Sequence, residues 1–450
     1  MNARSISHRL TALVICGVAL TFVCGTPPLP TDATQYRQST AKLPQVTTYS
    51  VTAPSPRYEF DHTIYLYQQR YIVSLRVERI RVWRSTDDGT SWSKVFEYAD
   101  RYRAGGSVVV GLPAQGHETP SVFVPFHHGI PGDYEMWRSV DGGDSWEERT
   151  PPGWSGASCT GPEPTSDPDV LYSACAQWWI QRDIGVDRSA DSGRTWERVW
   201  SNAGTYQVAP SPAFATDHTL FAAVQLGYEP PPLPKLIASF DGGDAWQARD
   251  TGLCNMVVNS IALSPDFEQD HTLFAVQNGI IFKSQDAGQS WVQVFAEDGR
   301  QCEDSTYIYS HDLFVSPNYA QDRTVFWLNY GVLYVSYDDG VSWQRLTRST
   351  SVSNVAIRRS PEPAAAFPEP VAPVTQPPTS ASSTPGLTTG YQVFLPLVMQ
   401  RGPQPLPLTI FASMGTSNTP YRSDDGGVTW TPVSLPSTTE VYLPLIFASP

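Results

Sequence analysis

The stretch Ser85-Thr86-Asp87-Asp88-Gly89-Thr90-Ser91-Trp92 decides how this chain is read. Its pattern, Ser-x-Asp-x-Gly-x-Ser/Thr-Trp, returns at Ser139–Trp146, Ser189–Trp196, Ser239–Trp246, Ser284–Trp291, Ser336–Trp343 and Ser423–Trp430. The tryptophans at 92, 146, 196, 246, 291, 343 and 430 are mostly 45 to 54 residues apart, the interval of an architecture that repeats one supersecondary unit. Strand-like runs such as Val332-Leu333-Tyr334-Val335 lead into the copies, and alternating runs such as Val292-Gln293-Val294-Phe295 leave them. The octapeptide is therefore expected to be a hairpin turn.

Each part of it has a structural task. Gly89, Gly143, Gly193, Gly243, Gly288, Gly340 and Gly427 can take positive φ without a Cβ penalty. Asp87, Asp141, Asp191, Asp241, Asp286, Asp338 and Asp425 can accept hydrogen bonds from the amides of their own turns. Trp92, Trp146, Trp196, Trp246, Trp291, Trp343 and Trp430 open the return strand and can cover the turn with an indole ring. The fourth copy has Ala245 in place of Ser or Thr and so lacks one hydroxyl.

The octapeptide resembles the Asp-box, or BNR repeat, of sialidases and related β-propellers. That resemblance places each box between the third and fourth strands of a blade, at the periphery and away from the central funnel. It implies an all-β fold, a seven-bladed β-propeller of four-stranded antiparallel blades.

A second repeat supports this reading. Ser55-Pro56 through Asp61-His62-Thr63 matches Ser211-Pro212 through Asp217-His218-Thr219, Ser264-Pro265 through Asp270-His271-Thr272, and Ser316-Pro317 through Asp322-Arg323-Thr324. Each is read as the turn between a blade's first and second strands, with proline at a strand end where no ladder N–H is needed. A metal reading of the Asp-His pairs is set aside, because they sit in equivalent turns of different blades. Blades are expected at 45–98, 104–150, 156–200, 205–250, 255–297 and 306–347. The seventh is interrupted by a tract rich in Pro, Ala, Ser and Thr, a composition that cannot bury a core. Its first strand is either the run from Val352 to Pro361 or Val393–Val398. The latter resembles Val441–Ile446, and either of these two could close the ring.

The expected organisation is a signal peptide at 1–25, a flexible mature N-terminus at 26–43 and propeller blades from 44 to 361. A low-complexity insertion at 362–390 follows, and 391–450 completes blade seven and supplies a closing strand. Arg4 and Arg9 precede an apolar run from Leu10 to Val23, which reads as secretion, with acylation at Cys24 as the less favoured alternative. No transmembrane span is expected in the mature chain. Cys159 with Cys175, on neighbouring strands, and Cys254 with Cys302, in connectors of successive blades, are the preferred disulfides. The net charge of −14 argues against nucleic acid.

Function is less legible. The resemblance to sialidases implies a site with three arginines and a Tyr–Glu pair, but the nearest motif, Ser55-Pro56-Arg57-Tyr58, has its proline on the wrong side. Arg84, Arg138, Arg188 and Arg422 directly precede box serines and are assigned to the rim. No nucleophile elbow, His-Glu-x-x-His or P-loop is present. Single propellers with a box in every blade also resemble the photosystem II assembly factor and the sortilin propeller, families that bind polypeptides. The expectation is an exported monomer that binds a protein or glycan without catalysing a reaction, with no catalytic, metal or cofactor residue assigned. A glycoside hydrolase of sialidase type is the alternative. Trp154, Trp178 and Trp179 are candidate ligand-stacking aromatics beside their packing role, and the low-complexity tract is a candidate spacer.

Overall fold

The computed structural model of the chain describes residues 46–72, 77–100, 105–127, 134–151, 154, 158–176, 184–224, 234–302, 311–347, 352–360, 408–414 and 419–435. These form seven antiparallel sheets in chain order, each running from a first strand to a fourth. Blade one is Val46–Pro54, Ile64–Ile72, Val77–Ser85 and Ser93–Asp100. The first strands of blades two and three are each split in two, as Gly105–Gly106 with Val109–Gly111 and Ser158–Cys159 with Glu163–Pro164. The remaining first strands are Thr205–Pro210, Ser260–Leu263, His311–Val315 and Val352–Arg359. Nearly all of these strands touch the first strand of the next blade, so they form the innermost ring.

Blade seven is settled by register: Val352–Arg359 pairs with Leu408–Met414, from Val352 opposite Met414 to Arg359 opposite Leu408. The low-complexity tract therefore falls between the first two strands of this blade in sequence. The segments 1–45, 361–407 and 436–450 lie outside the described residues, and with them the signal peptide, the tract itself, Val393–Val398 and Val441–Ile446.

The boxes are the hairpins between third and fourth strands. In blade one Ser85 Oγ donates to Asp87 Oδ1 and accepts from the Gly89 amide, while Asp87 accepts from the Ser91 amide and hydroxyl. The other copies repeat this set, and in the fourth the Ala245 amide still donates to Asp241 while the hydroxyl bond is lost. Two successive residues of each box have positive φ, for example Gly142 at 71° and Gly143 at 101°. Only the second was anticipated from sequence. Gly143 has a further constraint, because a Cβ there would come within 3.0 Å of Val95 on the outer strand of blade one.

The Ser-Pro turns form single helical turns, Tyr58–Asp61, Phe214–Asp217, Phe267–Asp270 and Tyr319–Asp322. Each ends on a left-handed residue: His62, His218, His271 or Arg323, with φ between 50° and 52°. Their aspartates bond the Ser hydroxyl and the Thr amide, as Asp61 does with Ser55 and Thr63. These carboxylates are thus occupied by their own turns.

Packing between blades is layered. Opposite one position of each first strand stands an aromatic of the second strand, namely Tyr65, Phe123, Tyr172, Phe221, Phe274, Phe326 and Phe411, all almost wholly buried. In four seams the aromatic of the next blade's helical turn meets it edge-on: Phe214 on Tyr172, Phe267 on Phe221, Tyr319 on Phe274 and Tyr58 on Phe411, at 5.5 to 5.9 Å. Each such buried ring contributes about 1.5–3 kcal/mol by burial alone. Trp154 belongs to this interior. It is fully buried with Phe123, Met136 and Leu171 between blades two and three, which removes it from the ligand-stacking candidates.

The disulfides are Cys159–Cys175, joining directly paired residues of one blade, and Cys254–Cys302, joining connectors 48 residues apart. Such bonds persist in oxidising compartments. Among the described residues no helix is long and apolar enough to cross a membrane.

Ring closure rests on contacts of the kind found in other seams, such as Trp146 to Val95 and Trp246 to Val199. The Trp92 indole donates to its own Gly89 carbonyl at 3.1 Å and to the Ser434 carbonyl of blade seven at 2.7 Å. Trp343 donates within its own box, to Gly340. Trp92→Phe should therefore lower stability by about 1 kcal/mol in denaturant titration, and Trp343→Phe by clearly less. Equal losses would show that the bond across the closing seam contributes nothing.

Candidate functional site

The two ends of the propeller differ in kind. At one end the boxes and helical turns are bonded together: Asp88, Gly142, Ser192, Gly242, Ala287, Asp339 and Gly426 each donate a backbone N–H to the carbonyl just before or beside the second strand of their own blade. The acceptors are His62, Pro120, Asp169, His218, His271, Arg323 and Leu408. Neighbouring blades complete the pattern. Arg84 Nη1 and Tyr65 Oη donate to the Gly142 carbonyl, each at 2.9 Å, and Arg188 and Tyr172 do the same to Gly242 at 2.8 and 2.7 Å. Arg138 reaches Ser192, Lys283 pairs with Asp339, and Arg422 pairs with Asp88 across the closing seam. The arginines ahead of the boxes are thus inter-blade ties. The box aspartates are held below the ordinary carboxylate range, Asp87 at about 2, by hydrogen bonds from Ser91 and Ser85. They are ionised acceptors at neutral pH.

Arg57 lies exposed at this same end, on the turn between the first two strands of blade one. It is not in the funnel, so the motif that came nearest to a sialidase site has the wrong place as well as the wrong order. Among the described residues no group of three His, Cys, Asp or Glu side chains could hold a metal. Trp178 and Trp179 lie outside the described residues. Trp137, by contrast, packs against Phe96 between blades one and two.

At the other end, the connections between second and third strands are uneven. In blades five and six they are tight turns, Asn278-Gly279 and Tyr330-Gly331. In blades two to four they run from His127 to Tyr134, from Ala176 to Gly185 and from Val224 to Leu236. In the tight turn of blade six Tyr330 is 55% exposed.

The innermost strands carry an unpaired edge, which the protein caps with side chains. Gln207 of blade four donates to the Ile261 carbonyl and accepts from its amide, at 3.1 and 2.7 Å, as a neighbouring strand would. Ser260 accepts from the Leu313 amide, and Ser413 donates to the Ser50 carbonyl. Arg358 donates to the carbonyls of Pro54, Ser55 and Ile357. Burial lowers its pKa from the usual guanidinium value.

Two acids on these strands are not used in this way. Asp312, in the first strand of blade six, is exposed and is nonetheless raised above the ordinary carboxylate range by surrounding protein. That combination fits a side chain facing an enclosed channel and not an outer surface. Glu163, in the first strand of blade three, keeps partial access to solvent, yet burial alone pushes it up to about 8. Its position is the one opposite the buried aromatic, which in the other blades is Ala53, Val109, Ala209, Ala262, Phe314 and Ala356. Those six residues pack against the following blade. Glu163 is thus a carboxyl where the repeat calls for an apolar contact. A sequence alignment of the blades on their boxes could have flagged it, but blade three lacks the Ser-Pro turn that sets the register.

The family description BNR/Asp-box repeat matches residues 421–432, the seventh box. No curated protein matches the chain. Among solved structures it is similar to a Mycobacterium tuberculosis puromycin-hydrolyzing peptidase, at 12% identity and TM-score 0.46, over 87% of this chain and 53% of that one. It is also similar to a Fusarium graminearum α-L-arabinofuranosidase bound to an iminosugar inhibitor, at 17% identity and TM-score 0.38, over 67% and 93%. A Hadza microbial sialidase gives 15% identity and TM-score 0.33, over 66% and 65%.

Glu163 generates a pH signature. A carboxyl raised on folding costs nothing below its unfolded pKa of about 4.3. Stability is then lost as pH rises from there to the folded value near 8. Glu163→Gln should match the parent near pH 4 and exceed it by on the order of 1–3 kcal/mol near pH 8.5 in denaturant titrations. A pH-independent difference would show that Glu163 is solvated in the folded state.

Proposed function

We propose that this seven-bladed Asp-box propeller is an exported binding or scaffolding module, a monomer that takes a protein or glycan ligand on the face opposite its boxes. The observation that carries this reading is how the described polar side chains are spent. Arg84, Arg138, Arg188 and Arg422 join blade to blade, and Gln207, Ser260 and Arg358 cap strand edges. A hydrolytic funnel needs convergent arginines or a carboxylate pair, the latter about 5–10 Å apart. The described first strands carry arginine only at 358 and 359, and burial is the one cause that shifts Glu163 and Asp312.

The exposed ring of Tyr330, in the tight turn between the second and third strands of blade six, supports the choice of face, because it is available for stacking or anchoring. Export by the N-terminal segment accords with the two disulfides.

A glycan array and a cross-linking pull-down from the native surface should each be run with the parent and with Tyr330→Ala. Retention by the parent, reduced at least about tenfold in the variant, is expected for an anchoring aromatic. Turnover of a fluorogenic sialoside or arabinofuranoside by the purified chain would overturn the non-catalytic reading and favour the hydrolase alternative.

A further inference from the structure

We propose that Glu163 is the anchor of a binding site for an alkylammonium group, in the inner seam between blades three and four. The site is separate from the rim face discussed above and does not depend on that reading.

Three observations converge on it. First, the repeat makes Glu163 an exception: the equivalent residues of the other blades are apolar and pack on the next blade, and here a carboxyl occupies that place. Second, the carboxyl takes part in no hydrogen bond or ion pair among the described residues, although a half-buried polar group is normally partnered. The strands packed against it bring no charged side chain. Val109–Gly111 carries no titratable group, Leu171–Ala176 brings Tyr172 and the bonded Cys175, and Thr205–Pro210 brings Tyr206. Third, the inner strand is displaced here. Its two halves are out of register by one residue around Thr160, and Gly161 lies so close to blade two that a Cβ would come within 3.1 Å of Pro125.

The chemistry of a partner follows from what surrounds the carboxyl. The seam is apolar, with Val208, Phe214 and Ala222 in its core. An apolar stem with a cationic tip fits such a place, since the stem covers aliphatic surface while the head meets the carboxylate. The net charge of −14 draws cations toward the protein. The group could belong to a free aliphatic diamine or to a lysine side chain.

Isothermal titration of the full chain with butane-1,4-diamine and, separately, with Nα-acetyl-lysine methylamide tests this. Measurements in phosphate and in MOPS at pH 7 read proton release. Saturable binding with stoichiometry one is expected for at least one probe, with about one proton released, because Glu163 is held protonated until the ammonium arrives. Affinity should rise about tenfold per pH unit up to the carboxyl's folded pKa and then level off. Glu163→Gln should abolish the proton release and weaken binding at least about tenfold. Glu268→Gln, on an outer turn, should change neither. Binding of the diamine alone would identify a free polyamine as the source, and binding of the lysine derivative alone a protein partner. If neither probe binds the parent, or if Glu163→Gln binds as tightly and releases the same proton, the site does not exist. Thermal melting of the variant confirms that it is folded, and Glu163→Asp, which keeps the charge, should bind more tightly than the Gln variant.

Discussion

The structure depends on a single backbone junction repeated seven times. The fourth residue of each box has positive φ, which turns its N–H toward the second strand of its own blade and, in Gly142 and Gly242, its carbonyl toward the blade before it. One peptide unit thereby ties a hairpin to its own sheet and to a neighbour. The box tryptophans work in the same sense. Trp146 donates to the Val95 carbonyl and Trp246 to that of Val199, each on the outer strand of the preceding blade. Individual bonds of this kind contribute about 1 kcal/mol, but their recurrence fixes the angle at which each blade meets the next.

Because the junction is periodic, the ring closes without a special device among the described residues. Blade seven meets blade one through Trp92 with Ser434, Arg422 with Asp88, Ser413 with Ser50 and Arg358 with the end of the first strand. Tyr58 sits on Phe411 as Phe214 sits on Tyr172. A ring built this way hides its sheet faces in the seams and leaves each blade two unpaired strand edges, that of the fourth strand outward and that of the first strand toward the axis. Gln207 shows how that edge is handled, with a side-chain amide replacing a missing strand.

Against this background the residues that depart from the repeat carry the information about function. Most described polar groups near the axis have a structural partner. Glu163 and Asp312 do not, and burial raises both. A protein pays in stability to keep an unpartnered carboxyl in an apolar seam. The end opposite the boxes offers a different departure, where the tight turn of blade six leaves Tyr330 exposed.

Much was legible before any coordinates. The box spacing determined the blade count, the Ser-Pro turns marked the first strands of four blades, and the rim placement of Arg84 and its equivalents followed, because each depends on local or strictly periodic pattern. Of three possible cysteine pairings, the preferred one is the one formed. What local pattern could not supply was decided by packing between blades. Whether Val352–Arg359 or a later segment began blade seven depended on which run could pair with Leu408–Met414, a choice made by ladder register across a long separation. Trp154 looked available in an irregular Gly- and Pro-rich approach, and is buried because the seam between blades two and three has room for an indole. The isolation of Glu163 is a tertiary fact of the same kind. Sequence places a glutamate on an irregular strand, and only the assembled ring shows that the seam beside it is apolar and that no described side chain answers its charge.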